Sequence, residues 1–147
     1  MKLVTNNKKA FHNFFISDLY ECGIELKGSE VKSIRNGGVS LNDSFVQIKN
    51  GEIFVNNMYI KPYENTTSFQ VDSHRTRKLL LHKEEIEKLK RKTMEKGFSV
   101  VPTKVYFKNG KVKLEIGLAK GKKLYDKREV LKEKSVKKDI ERAIKLK

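Results

Sequence analysis

A chain of 147 residues, 37% hydrophobic and 35% charged, has room for one domain with a modest extension and little apolar content to spare. Its 33 Lys and Arg against 18 Asp and Glu leave a net charge of +15 and a pI near 9.8. That excess is too large for solubility alone and points to a polyanion, nucleic acid before an anionic membrane surface. No apolar run approaches the ~20 residues that span a bilayer, and the opening MKLVTNNKKAF turns polar after Val4, unlike a signal peptide. Cys22 is the only cysteine, which excludes a disulfide framework and a Cys-based zinc site. A reduced, cytoplasmic protein that does not engage a membrane is expected.

Taken in order, residues 1–10 are polar and basic and read as a mobile N-terminal arm. From Phe11 to Leu26 aromatic and β-branched residues become dense, and Ile24 and Leu26 alternate with Glu25 and Lys27 as in a strand. Gly28-Ser29 reads as a break and an N-cap. Val31 and Ile34 then give Ser29–Arg35 one apolar helical face, closed by Asn36-Gly37-Gly38. Two hairpins follow, one turning at Asn50-Gly51 and one at Asn109-Gly110, because both residues of an Asn-Gly pair tolerate positive φ between alternating runs. Between them a helix is predicted over Lys83–Lys96, with Ile86 and Leu89 on its buried stripe. Acidic residues fill its first turns and Gly97 lies beyond its end, the charge order that suits a helix dipole. No parallel βαβ crossover is evident. The predicted fold is mainly β: an OB-like antiparallel barrel over 11–120, with two or three short helices and a basic C-terminal tail.

The tail, 121–147, carries 11 Lys and Arg against 5 Asp and Glu. Val136, Ile140 and Ala143/Ile144 follow helical spacing, but the stripe is narrow. Such a segment is expected to be disordered when free and helical against RNA or a partner.

Catalytic chemistry is not legible. His12, His74 and His82 have no second His or Cys at ligand spacing. Asp18, Glu21 and Asp43 show no acid/base pairing pattern, and no glycine loop is of the phosphate-cradling kind. A non-enzymatic protein without metal or cofactor is expected. The basic clusters are more specific: Lys8-Lys9, Arg75, Arg77 and Lys78, Lys120, Lys122 and Lys123, and Lys127-Arg128. Tyr125 stands among charged neighbours, where its ring is free to stack on a base while the cations take phosphates.

Six ordered motifs carry a resemblance over nearly the whole chain: Asn7-Lys8-Lys9-Ala10, Tyr20-Glu21-Cys22-Gly23-Ile24, Gly28-Ser29-Glu30-Val31-Lys32-Ser33, Asp43-Ser44, Thr76-Arg77-Lys78-Leu79-Leu80-Leu81, and Gly121-Lys122-Lys123 with Asp126-Lys127-Arg128. With these the sequence resembles the SmpB family of SsrA-binding proteins. The resemblance implies an OB-like barrel that binds the tRNA-like domain of transfer-messenger RNA around its acceptor and D-arm elbow. The implied contacts are Asn7, Glu21, Leu80 and Lys111, supported by Lys8, Lys9, Arg75, Arg77 and Lys78. Glu21 would be an acceptor for base amino groups or ribose hydroxyls.

The same resemblance implies that the tail enters the decoding centre and the vacant messenger channel of a stalled ribosome through Gly121, Lys122, Lys123, Tyr125, Asp126, Lys127 and Arg128. Tyr125 would stack there on small-subunit ribosomal RNA. It further implies delivery alongside elongation factor Tu and a monomer with RNA. Cys22 stands where the family usually has Ala, Ser29 where Thr is frequent, and the tail lacks the Trp of some relatives. Without the motifs, a basic ribosomal or RNA-coating protein and a small RNA-processing enzyme are the competing readings.

Overall fold

The computed structural model describes residues 1–62 and 72–122. The elements in chain order are β1 (Lys2–Asn6), α1 (Lys8–Asn13), β2 (Phe14–Ile24), α2 (Gly28–Arg35), β3 (Val39–Ser40), β4 (Phe45–Lys49), β5 (Glu52–Asn56), β6 (Tyr59–Ile60), β7 (Arg77–Leu80), α3 (Lys83–Thr93), β8 (Phe98–Lys108) and β9 (Lys111–Gly121). Strands pair in the order β8-β4-β5-β7-β2-β9, and β9 pairs back with β8, so the sheet closes on itself as an OB-like barrel. Every pairing among the described residues is antiparallel.

Alternation builds the interior. Val112, Leu114 and Ile116 of β9 meet Val105 of β8, Ile53 and Val55 of β5, Leu79 of β7 and Cys22 of β2 in one buried cluster. Lys113 and Glu115 face outward between them. Both Asn-Gly turns form as expected, with φ of 54° and 77° at Asn50 and Gly51 and 52° and 77° at Asn109 and Gly110. Pro102 of β8 sits beside the register shift between Pro102 and Lys104, where a residue without an N–H leaves no ladder bond unmade.

Helix α2 forms over the predicted stretch but begins one residue earlier, at Gly28, with Lys27 and not Ser29 as N-cap, because Glu30 accepts from the Lys27 N–H. Helix α3 forms too but ends at Thr93, three residues before the predicted Lys96, with Met94 as C-cap and Gly97 at φ 88°. It lays Ile86 and Leu89 into the core. Residues 1–10 do not form the expected arm. Val4 and Thr5 supply a half-buried strand that β8 accepts beside Lys104–Phe107, and Asn7 caps a short helix the sequence pattern did not announce.

Candidate nucleic-acid interface

One irregularity in β2 decides what that strand displays. Ser17 pairs with Leu118, yet the next matched pair is Tyr20 with Ile116, so β2 spends one residue more than β9 at this point. Asp18, at φ 48°, takes the strained conformation of the bulge. Opposite it Gly117 has no side chain because there is no room: a Cβ there would lie 2.6 Å from Ile16 and 2.9 Å from Leu19. Without the extra residue Glu21 would stand opposite Leu114 and face the core. With it, Cys22 takes that position and Glu21 pairs with outward-facing Glu115. Cys22 is fully buried, and burial pushes its thiol up to about 12.

Glu21 is then held in place. The Tyr106 hydroxyl on β8 donates to Oε2 at 2.5 Å, and Lys108 Nζ lies 3.4 Å from both carboxylate oxygens. The Tyr106 bond outweighs the opposing effect of burial and, with help from Lys108 and Lys113, keeps the carboxyl below the usual range. Burial and the bond to Glu21 both push the Tyr106 hydroxyl upward, so it stays a donor.

Leu80 pairs with Gly23, where the missing Cβ lets its side chain lie against β2. Leu80 is 49% exposed and Glu21's side chain 37%. Together with Leu19, Tyr20 and Lys113 they line an open groove of about 720 Å³. Lys111 is exposed at the hairpin tip, two positions before Lys113, which pairs with Gly23. Three of the four implied contacts therefore gather at one end of β2.

The basic cluster before the LLL run divides. Arg77, expected to meet RNA, is 0% exposed. Its guanidinium donates to Glu30 Oε2 at 2.9 Å and to the carbonyls of Met58, Arg75 and Ser73. Leu79 points into the core, so strand alternation sends Arg77 the same way and turns Lys78 and Leu80 outward. Arg75 is occupied as well, donating to Glu30 at 2.7 and 3.0 Å. Lys78 reaches Glu52 at 3.0 Å and remains partly exposed.

Asn7 is buried and its polar atoms are spent inside the fold. Its amide donates to Pro102 O at 2.8 Å and to Leu41 O at 3.5 Å, while Oδ1 accepts from the Ala10 N–H. It fixes α1 to the barrel and so places Lys8 and Lys9, both exposed, at the Phe14 end of β2. The root of the tail is at the same end. Gly121 pairs with Phe14, the Lys122 N–H donates to Asn13 O, and Lys122 Nζ sits 4.9 Å above the exposed Phe15 ring. Glu21 lies seven residues further along β2, about 20 Å away at strand rise.

The exposed residues among those the resemblance implies thus fall into two groups toward opposite ends of one strand. The sequence pattern suggested neither this split nor the parts taken by Tyr106, Lys108 and Phe15. Outward parity in Val105-Tyr106-Phe107 was the available signal for Tyr106.

Lys123, Tyr125, Asp126, Lys127 and Arg128 lie outside the described residues. Among the described residues no group of three or more His, Cys, Asp or Glu is placed to hold a metal, and no helix is long and apolar enough to cross a membrane.

The family model described as "SmpB protein" matches residues 4–146. An SsrA-binding protein of Persephonella marina is 58% identical over 145 residues, covering 99% of this chain and 95% of the relative. An SsrA-binding protein of Geobacter sulfurreducens is 57% identical over 143 residues, covering 97% and 94%. A chain in the solved structure described as "tmRNA-SmpB: a journey to the center of the bacterial ribosome" superposes with a TM-score of 0.69 at 46% identity, over 80% of this chain and 83% of that one.

Proposed function

The chain belongs to the SmpB family, and from that premise we propose that it is an RNA-binding adaptor of trans-translation, which binds the tRNA-like domain of transfer-messenger RNA and helps deliver it to stalled ribosomes. The observation that carries this reading is the bipolar display on β2. One end offers a fixed acceptor and an uncovered leucine inside a rim of lysines, the mixture that shaped RNA needs. Beside the other end β9 finishes at Gly121, where the basic tail begins.

In this reading Glu21, Leu80 and Lys111 meet the tRNA-like domain, with Lys78 and Lys108 beside them. Lys8, Lys9, Gly121 and Lys122 serve the ribosomal end, continued by Lys123, Tyr125, Asp126, Lys127 and Arg128 in the decoding centre and messenger channel. Arg75 and Arg77 support the site by holding β7 to α2, and Asn7 by holding α1. The adaptor is non-catalytic, acts in the cytoplasm as a monomer with its RNA, and travels with elongation factor Tu.

A competition titration tests the reading. Labelled tRNA-like domain is titrated at two salt concentrations with bulk tRNA and duplex RNA as competitors. Retained preference for the tRNA-like domain at the higher salt is expected. Equal binding to all three that falls steeply with salt would instead mark a generic ribosomal or RNA-coating protein.

A further inference from the structure

We infer that Tyr106 is a specificity-determining positioning residue: by clamping one oxygen of Glu21 it leaves the other as a single, aimed acceptor for an N–H or O–H of the bound RNA. The inference rests on the reading that Glu21 faces RNA.

Tyr106 stands on the outer face of β8, in register with Lys113. Glu21 stands on β2, beyond the intervening strand β9. The phenol therefore reaches across β9 to the carboxylate, and the tyrosine is left 4% exposed. A buried ring has one orientation, so its hydroxyl fixes Oε2 in direction as well as distance. Lys108, at 3.4 Å from both oxygens, is long and exposed and supplies charge more than aim. Oε1 has only the long 3.4 Å contact from the exposed Lys108, so it is the oxygen with acceptor capacity left for a ligand.

The chemistry this selects is narrow. An ionised carboxylate only accepts, and it repels phosphate. Among Lys108, Lys111 and Lys113, with Glu85 elsewhere on the groove wall, it therefore excludes phosphate from one spot of a largely basic rim. A base amino group or a ribose 2′-hydroxyl presented there is accepted, and an RNA whose backbone passes there is rejected. A freely rotating carboxylate would make the same repulsion but a weaker, less directional bond.

A double-mutant cycle on the full chain tests this, with the tRNA-like domain as ligand and bulk tRNA as competitor. Glu21→Gln is expected to weaken binding about tenfold, the loss of one charge-assisted bond. Tyr106→Phe, which keeps the ring, is expected to weaken it about three- to tenfold and to reduce preference over bulk tRNA, with the salt slope unchanged because no phosphate contact is lost. The double variant should bind no worse than Glu21→Gln alone.

If Glu21→Gln binds like the parent, the reading of Glu21 fails. If Glu21→Gln is weak while Tyr106→Phe binds like the parent, or the two effects multiply, the positioning role is overturned and the reading of Glu21 stands. A carboxyl carbon-13 NMR titration of Glu21 in the unaltered protein does not depend on any variant folding. A midpoint below the ordinary Glu value is expected, and one at or above it would also overturn the clamp.

Discussion

Glu30 sits 4% exposed at the start of α2 and accepts at both oxygens: from the Lys27 N–H at 2.8 Å, from Arg75 at 2.7 and 3.0 Å, and from Arg77 at 2.9 Å. Burial opposes its ionisation, but the bonds from Arg75, Lys27 and Arg77 prevail and hold its carboxyl below the usual range. A depressed folded value means that the stabilisation is complete above the unfolded pKa of about 4.3 and is lost as pH falls through the folded one. Glu30→Gln leaves Arg77 buried without its counter-charge and should cost about 3 kcal/mol at neutral pH, read by urea unfolding. The same variant should flatten the acid limb of stability against pH below about pH 4.

The division between Arg77 and Lys78 was half legible in the sequence. The run Leu79-Leu80-Leu81 signals a buried segment without marking which leucine faces inward; with Leu79 in the core, a strand's two-residue period carries Arg77 inward with it. What the local sequence could not supply was Glu30, the partner 47 positions away that makes a buried guanidinium tolerable.

The bulge in β2 governs the whole groove at the level of elements. Gly117→Val pushes a branched side chain into Ile16 and Leu19, and should cost about 1–3 kcal/mol in thermal or chemical unfolding. It should also weaken binding of the tRNA-like domain, because Leu19 to Glu21 move with the bulge. Gly28→Ala is the control: a Cβ there meets nothing within 4 Å, and both stability and affinity should be kept. Elements whose signals are local were readable in advance. The Asn-Gly turns and the 3.6-residue period of α3 each declare themselves within a dozen residues, whereas α2 is capped at Lys27 through Glu30 and not at Ser29. Strand β1 and helix α1 did not declare themselves, because their stability comes from β8 and from an asparagine bonded to a carbonyl 95 positions away. The bulge was equally hidden: it is a mismatch between two strands and has no signature in either one.

Across the whole molecule, RNA recognition and ribosome engagement should separate. A chain ending at Lys122 keeps the barrel and the Glu21 groove. At ionic strengths that screen long-range attraction, its affinity for the tRNA-like domain should stay within about twofold of the full chain. Its ability to support peptide tagging on stalled ribosomes should be lost. A truncation that destroyed RNA affinity would overturn the division of labour along β2.

Strand β2 is zipped to β9 from Phe14 to Gly23, with the two proposed contact surfaces at the ends of that run. It therefore behaves as a measuring rod, and the distance between whatever sits at its two ends is a constant of the fold. Lengthening β2 and β9 by two residues each, between the bulge and α1, would keep every side chain on its own face while adding about 7 Å to the rod. Such a protein should hold either RNA alone as well as before and fail when both must be held at once.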